Sequence, residues 1–247
     1  MTLASTCTGT GAPRVTIVHG FTQVGACMRT LADAIGVPCR LVDAPFHGGS
    51  FDVDVDLTGA GRELAAACAG SVLVGYSMGA RIALHALLAE PDCASAAVLI
   101  SGTAGIADDS VRSARRLADA ALADHILEIG TEAFIDEWLD QPMFAGVPRR
   151  DDDRALRAAN RAESLARSLL RLGQGVQEPL WDRLGEIVLP VTTIAGSEDP
   201  RYADEAVRIA ATVQRGCSTV LNGAGHAVHA QCLDDVAVAI RAALAPQ

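Results

Sequence analysis

A serine stands between two glycines in the segment Gly75-Tyr76-Ser77-Met78-Gly79. The apolar residues 71–74 before it are typical of a buried strand, and residues 80–88 after it are compatible with a helix. A tight turn can hold a serine at its tip when the neighbouring residues lack a Cβ. Backbone N–H groups at the start of the following helix could then stabilise an oxyanion. The pattern predicts a reactive serine; an ordinary turn between two core elements is the alternative.

Two further residues follow predicted strands and could act on Ser77. Asp199 comes after the apolar segment 191–195, and His226 comes after the segment 218–221. Since strand exits of a parallel sheet share one edge, the three side chains can converge. His226 would take the serine proton, and Asp199 would fix the imidazole tautomer and stabilise the imidazolium. Taken singly, Asp199 and His226 fit ordinary turn residues equally well.

An oxyanion site needs a second source of N–H groups besides the serine turn. The sequence His19-Gly20-Phe21 follows the first predicted strand. The backbone N–H groups of Phe21 and Met78 would be the two donors. A glycine-containing turn without a catalytic role is the alternative.

The apolar runs that position these residues predict the fold class. They are continuous rather than alternating and are separated by helical stretches, which indicates a parallel sheet covered on both faces, an α/β protein. Residues 1–13 are small and polar, and are expected to form a frayed lead-in. The predicted strands are 14–18, 40–43, 71–74, 96–100, 191–195 and 218–221.

The pattern changes after the strand at about 96–101. From residue 108 to about 183 no strand is predicted; one helix covers Leu117 to Ile129, a second begins at Thr131, and a third runs from Asp151 to Gly173. The expected organisation is a core of residues 1–107 and 184–247 with a helical lid, residues 108–183, over the carboxyl ends of the strands.

Arginine is concentrated in this predicted lid. All twenty basic residues are arginine, and ten of them lie between residues 112 and 171. A guanidinium binds a carboxylate in bidentate fashion, so some could recognise an acidic substrate. A solvated helix face is the better interpretation for most of them. Arg81 is a more specific candidate for binding a substrate carboxylate, because it lies one helical turn after Ser77 and can share its face of the helix.

Composition limits the remaining function classes. The 247 residues suit one α/β domain with an insertion, and the net charge of −10 argues against nucleic-acid or anionic-membrane partners. Seven scattered cysteines without a CxxC pair indicate free thiols in a reducing compartment rather than disulfides or zinc. No signal peptide and no apolar run of about 18 residues is present, so a cytoplasmic protein is expected.

The chain resembles the α/β-hydrolase superfamily over nearly its whole length. Several segments are similar, more narrowly, to the 2-succinyl-6-hydroxy-2,4-cyclohexadiene-1-carboxylate synthases, lyases of menaquinone biosynthesis. The segments around Ser77, Asp199 and His226 are general to the superfamily. The Trp-x-x-Gln-Pro-x-Phe motif and the serine-to-arginine spacing narrow the choice. The matching segments are 19–22, 74–81, 115–119, 137–144, 175–181, 195–199 and 223–229.

The resemblance implies a reaction. This family acts on a cyclohexene that carries succinyl, carboxylate and enolpyruvyl groups. Ser77, activated by His226 and Asp199, is expected to remove a ring proton as a base, and pyruvate then leaves without an acyl-enzyme. No metal or organic cofactor is implied, and the expected partner is a small polycarboxylate. The implied substrate-binding residues are Arg81, Arg115, Arg157, Tyr76, Trp138 and His19.

Departures from the family pattern leave room for a paralogue with another substrate, and the sequence does not distinguish a serine that acts as a base from one that acts as a nucleophile. The loop after the second matching strand reads Ala44-Pro45-Phe46-His47-Gly48-Gly49 instead of Leu-Pro-Gly-His-Gly, and Ala80 replaces a common glycine. The alternative is a serine hydrolase acting on a carboxylic ester or on a carbon–carbon bond of a vinylogous diketone. An inactive ligand-binding member of the fold is a third class, which the intact set of serine, histidine and aspartate opposes.

Overall fold

A seven-stranded sheet forms the centre of the molecule in the computed structural model, which describes residues 2–245. The strand order is β1-β3-β2-β4-β5-β6-β7; β2 to β7 run parallel, and β1 is antiparallel to β3. The predicted mostly parallel α/β sheet is therefore confirmed. The strands are β1 (Ser5–Cys7), β2 (Val15–Val18), β3 (Cys39–Val42), β4 (Val72–Tyr76), β5 (Ala96–Ile100), β6 (Pro190–Gly196) and β7 (Arg215–Leu221).

Helices cover both faces of the sheet. Val72 and Val74 of β4 pack in one apolar cluster with α1 and α10, whereas Leu73 packs on the opposite face with α2 and α3. None of the helices within residues 2–245 has the length and apolar character needed to cross a membrane. The helices are α1 (Arg29–Ile35), α2 (Leu57–Cys68), α3 (Met78–Ala89), α4 (Asp109–Ile129), α5 (Thr131–Leu139), α6 (Asp151–Ala158), α7 (Ala162–Leu172), α8 (Pro200–Thr212), α9 (Val228–Gln231) and α10 (Leu233–Ala243).

Strand β1 corrects the prediction of a frayed lead-in at residues 1–13. Residues 5–7 pair with β3, with Ser5 opposite Val42, and Leu3 beside them is only 4% exposed. Met1 lies outside the described residues. The prediction was wrong because all three β1 side chains are exposed, so main-chain hydrogen bonds form this strand without an apolar pattern.

Helices α4 to α7 lie between β5 and β6, and we call residues 109–172 the helical insertion. It has its own apolar cluster, built on Ile126, Phe134 and Leu165. The predicted third helix is in fact two helices, since α6 and α7 are separated at residues 159–161. The break frees the Asn160 side chain for bonds to other loops. The action of the insertion as a lid stays a prediction.

Residues 173–180, the return segment, lead the chain back from the insertion to the sheet. A Cβ on Gly175 would lie 2.3 Å from the Arg116 Cα, so the segment runs directly against α4. Trp181 then donates a 2.9 Å hydrogen bond from Nε1 to the Gly105 oxygen, and a short 3-10 helix, Trp181–Glu186, follows. The predicted boundary between residues 183 and 184 falls inside this short helix; the predicted domain limits remain untested.

Candidate active site

Ser77 is held in an unusual backbone conformation at the turn between β4 and α3. Its φ is +52°, a region that non-glycine residues rarely adopt. Its N–H donates to the Ile100 oxygen at 2.8 Å, which fixes the turn against β5. A Cβ on Gly79 would lie 2.3 Å from the Val18 oxygen, so only glycine allows α3 to start this close to β2. The sequence therefore folds to hold the serine at the carboxyl edge of the sheet.

The structure brings Ser77, His226 and Asp199 into one hydrogen-bonded chain. The Ser77 Oγ–H donates to His226 Nε2 at 2.9 Å, and His226 Nδ1–H donates to Asp199 Oδ2 at 2.7 Å. This tautomer is assigned from the carboxylate, which can only accept when ionised. His226 is 2% exposed, and Ser101 Oγ holds its main-chain oxygen at 2.7 Å. The geometry suits proton transfer from the serine to the imidazole.

Aromatic rings surround the His226 imidazole and restrict its orientation. The Tyr202 ring meets it edge to face at 4.5 Å between centroids, and Tyr76 and Phe144 lie at 5.6 and 6.5 Å. The Tyr202 hydroxyl accepts a 2.7 Å hydrogen bond from Gln174 Nε2. The sequence analysis missed Tyr202, although its position one helical turn after Asp199 could have identified it.

The two predicted oxyanion donors lie on adjacent elements. Met78 is the first residue of α3, so its N–H has no acceptor within the helix. Phe21 lies in the turn after β2, which Gly20 N closes by donating to Gln23 Oε1 at 3.0 Å. Within residues 2–245 neither Phe21 N–H nor Met78 N–H donates a hydrogen bond. Both are thus available to a ligand; their oxyanion role stays a prediction.

His19, predicted to contact the substrate, has both ring nitrogens hydrogen-bonded to the backbone. It is fully buried, its Nδ1–H donates to the Gly20 oxygen at 2.8 Å, and its Nε2 accepts from Ala44 N at 3.0 Å. Burial lowers the pKa of His19 to about 4, so the ring is neutral. Through these two hydrogen bonds His19 joins the exits of β2 and β3, and its role as a substrate contact stays a prediction.

Arg81 is a buried cation close to Ser77. It is 6% exposed, and within residues 2–245 no carboxylate lies in ion-pairing distance of it. Its Nη1 donates to Gln177 Oε1 at 3.2 Å, while the buried Gln177 Nε2 has no hydrogen-bond partner in the described part of the chain. Burial, with a contribution from nearby Arg115, lowers the pKa of Arg81 to about 10, so it stays charged at neutral pH. A buried charge without a counterion is costly, which suggests an anionic ligand.

Arg115 reaches the same region from α4. Its Nε donates to Asp119 Oδ1 at 2.7 Å, and the other oxygen of Asp119 accepts from Gly175 N at 3.0 Å. Asp119 is 4% exposed, and its two hydrogen bonds connect α4 to the return segment. Arg115 keeps a third of its side chain exposed, which leaves N–H groups for a ligand.

Arg157 lies in a different group. It is 6% exposed, and its Nε and Nη1 donate to Asp153 Oδ2 at 2.6 Å and Thr22 Oγ1 at 2.7 Å. It lines a cavity of about 470 Å³ together with Tyr76. Ser77, His226, Arg81 and Arg115 do not line that cavity. The structure therefore separates Arg157 from the other two predicted arginines. Tyr76, which lies beside Ser77 in the chain, lines the cavity and connects the two regions.

Trp138 lies in an aromatic cluster above this region. Its ring is 5.2 Å from that of Phe21, 5.8 Å from Phe134 and 6.0 Å from Phe144. Its buried Nε1–H meets no acceptor among the residues that the structure describes, so it is available to a ligand. Among residues 2–245, no group of three His, Cys, Asp or Glu side chains could hold a metal ion.

Comparisons with known proteins identify the family of this chain. The model of the alpha/beta hydrolase family matches residues 17–239. The 2-succinyl-6-hydroxy-2,4-cyclohexadiene-1-carboxylate synthase of Salmonella typhimurium is 32% identical over 231 residues, which cover 89% of this chain and 88% of that protein. A Bacillus subtilis relative is 35% identical over 164 residues, but the match spans only 64% of this chain and 60% of that protein.

Solved structures show the same fold. The structure of MenH from S. aureus superposes with a TM-score of 0.87 at 25% identity, covering 97% of both chains. A thermophilic esterase from Thermogutta terrifontis superposes with a TM-score of 0.78 at 21% identity, covering 97% of this chain and 92% of the esterase. The fold is thus shared by proteins with different reactions, while the sequence match selects one group. The chain belongs to the alpha/beta hydrolase family and, within it, to the 2-succinyl-6-hydroxy-2,4-cyclohexadiene-1-carboxylate synthase family.

Proposed function

We propose that this protein is a lyase that eliminates pyruvate from 2-succinyl-5-enolpyruvyl-6-hydroxy-3-cyclohexene-1-carboxylate and forms 2-succinyl-6-hydroxy-2,4-cyclohexadiene-1-carboxylate. The observation that carries the proposal is Arg81, a buried arginine one helical turn from a serine that is hydrogen-bonded to a histidine. Among residues 2–245 no carboxylate lies within ion-pairing distance of Arg81. The names of its relatives support the same reaction. The expected cytoplasmic location and the absence of nucleic-acid and membrane partners remain predictions.

The elimination needs a base and a site for developing negative charge. The ring carbon that bears the succinyl group is next to a ketone, so its proton is acidic. In the proposed step Ser77 Oγ takes this proton while its own passes to His226 Nε2, and Asp199 stabilises the imidazolium. The electron pair shifts through the ring double bond, the bond between the ring and the enolpyruvyl oxygen breaks, and the leaving enolate is protonated to pyruvate.

The transient enolate places negative charge on the succinyl ketone oxygen. The free N–H groups of Phe21 and Met78 are suited to stabilise it. No bond between serine and substrate is required, because the leaving group departs from the ring rather than from an acyl carbon. Ser77 therefore acts as a base relay instead of a nucleophile.

Three carboxylates on the substrate need cationic partners. Arg81 and Arg115 can bind one or two of them from the serine side. Arg157 can bind another at the boundary of the 470 Å³ cavity, beside Tyr76, while it keeps its pair with Asp153. The free Nε1–H of Trp138 adds a neutral donor above the site.

A serine hydrolase is the second candidate, since one observation favours it too. Acyl transfer to a serine also requires a serine that is hydrogen-bonded to a histidine, as Ser77 is, and available backbone N–H groups such as those of Phe21 and Met78. In that case Ser77 would attack a carbonyl carbon of an ester or diketone.

One pair of assays separates the two candidates. The enolpyruvyl substrate is supplied, and pyruvate release is followed with a coupled dehydrogenase; a p-nitrophenyl ester is then tested with the same preparation. Pyruvate release that depends on Ser77, with slow ester turnover, is the expected result. Rapid ester hydrolysis without pyruvate release would establish the hydrolase instead.

A further inference from the structure

Thr22, the residue after Phe21, has a backbone conformation that its own chemistry disfavours. Its φ is +69°, and it is fully buried. A β-branched residue in this left-handed region is a rare outlier, which persists only when surrounding contacts hold it. The contacts that hold Thr22 therefore also determine the shape of the turn that carries the Phe21 N–H.

Two of these contacts come from the helical insertion. Asn160 Nδ2 donates to the Thr22 oxygen at 2.8 Å, and Arg157 Nη1 donates to Thr22 Oγ1 at 2.7 Å. Asn160 lies in the break between α6 and α7 and is 8% exposed. The turn itself contributes local hydrogen bonds between Gly20 and Gln23.

The Asn160 amide is fully used, and only one orientation satisfies its surroundings. Its Nδ2 also donates to the Arg157 oxygen at 3.1 Å, and its Oδ1 accepts from Gly48 N at 2.9 Å. The reverse orientation would set the amide oxygen against two carbonyl oxygens and its NH₂ against an N–H. This side chain thus joins the exit loops of β2 and β3 to the insertion.

We propose that Asn160 is a positioning residue that holds the Thr22 peptide in its left-handed conformation and so aims the Phe21 N–H at the oxyanion site. The inference rests on the proposed function only in giving that N–H its role. The insertion then contributes to the chemical step and not just to substrate binding, because rotation about Thr22 would turn the Phe21 N–H away.

Asn160→Asp tests the proposal with a minimal change. Aspartate keeps the size and the oxygen that accepts from Gly48, but it faces two carbonyl oxygens with an oxygen. Gln214→Glu is the matched control, since Gln214 makes an equivalent 2.9 Å amide bond to the Gly185 oxygen at an exposed position. Asn160→Ala is the second variant, which removes the bonds without adding a charge.

The first readout is the second-order rate constant for labelling Ser77 with an alkyl fluorophosphonate. In this reaction the serine oxygen bonds to phosphorus, fluoride leaves, and the serine proton passes to His226. The rate depends on the serine and its oxyanion site but not on the natural substrate. The second readout is kcat and KM for pyruvate release, both measured well below each variant's Tm.

We expect Asn160→Asp and Asn160→Ala to lower the labelling constant and kcat by on the order of tenfold, with KM changed less than twofold. Gln214→Glu should leave both within twofold. Labelling of the folded Asn160 variants at the wild-type rate overturns the proposal. If the wild type is labelled but releases no pyruvate, the elimination is wrong, while labelling still decides the role of Asn160.

A second background sharpens the test. Glycine adopts a φ of +69° without strain, so Thr22→Gly reduces the need for an external support. Asn160→Asp should therefore lower the labelling constant less in the Thr22→Gly protein than in the wild type. An equal reduction in both backgrounds would show that Asn160 does not act through the conformation of Thr22.

Discussion

The carboxyl edge of the sheet and the helical insertion hold their functional side chains in different ways. Ser77, Asp199 and His226 each follow a strand, and their loops are fixed by main-chain bonds such as Ser77 N to the Ile100 oxygen. The insertion is laced with exposed ion pairs, for example Arg154 with Asp136. The comparison teaches that the sheet fixes the proposed reacting groups, whereas side-chain pairs hold the arginines of the insertion that are proposed to bind the substrate.

Removing the reacting group at the sheet edge should have the largest effect. Ser77→Ala should lower kcat by on the order of 10³-fold or more, because the proton has no other route to His226. The fold should be retained, so the circular dichroism spectrum and Tm should match the wild type within a few degrees. A loss of less than tenfold would show that Ser77 is not the base.

Arg81 lies on α3, directly after the sheet strand β4, but its proposed role is to bind the substrate. Arg81→Met should lower kcat/KM by about 100-fold, since a carboxylate would lose a charged hydrogen-bond partner. Tm should stay the same or rise, because a buried charge without a counterion is removed. A fall in Tm together with unchanged kcat/KM would make Arg81 a structural residue.

Arg115 tests the insertion side of the comparison. Arg115→Ala should raise KM by about tenfold and weaken the dependence of KM on salt, because an ionic contact with the substrate is lost. The matched control is Arg183→Ala, which breaks an exposed pair with Glu186 outside the site. An unchanged KM in Arg115→Ala would return Arg115 to the solvated face of α4.

A buried histidine at the sheet edge should make the core sensitive to acid. Burial lowers the pKa of His47 from 6.5 to about 3, and nearby His19 adds to this. Between these pH values the unfolded chain therefore binds a proton that the folded chain does not. The free energy of unfolding keeps its full value above pH 6.5 and decreases as the pH falls toward 3. Near pH 5 this proton lowers the free energy of unfolding by about 1.4 kcal/mol for each pH unit of acidification.

His47→Phe removes this proton and retains a planar ring. The free energy of unfolding, measured with urea from pH 7 to 4.5, should then decrease less steeply with acid by about one proton. A slope identical to that of the wild type would show that His47 is protonated in the folded chain.

The smallest effect is expected for an ion pair of the insertion. Arg154→Gln removes a bidentate contact with Asp136, in which Nε lies 2.6 Å and Nη2 lies 2.7 Å from the carboxylate oxygens. Both side chains are exposed, so Tm should change by about 2 °C or less, and kcat/KM by less than twofold. A Tm loss above 5 °C would mean that such pairs hold the insertion as firmly as main-chain bonds hold the sheet edge.

The sequence predicted well those features that depend on local patterns. The continuous apolar runs of β4 and β5 and the glycines around Ser77 reflect burial and sterics, which neighbouring residues reveal. Strand β1 was missed because its side chains are exposed and only its backbone pairs. The break at Asn160 was also missed, since two of its partners, Gly48 and Thr22, lie more than 100 residues away.

The roles of single side chains were harder to predict. His19 was expected to contact substrate, which stays a prediction, and the sequence did not indicate the hydrogen bond that its Nε2 accepts from Ala44 N of the next loop. Tyr202 was missed because its contact with His226 depends on how α8 leaves the sheet. Both cases involve tertiary contacts between loops, which no spacing along the chain encodes.

The return segment positions two arginines at once. Its Gly175 N–H donates to Asp119, which accepts from Arg115, and its Gln177 accepts from Arg81. The separation between the two guanidinium groups is thus a property of a few residues that touch no reacting atom. Under the proposed function, changes in residues 173–180 alone would alter the distance between two bound carboxylates, with Arg81, Arg115 and Ser77 unchanged.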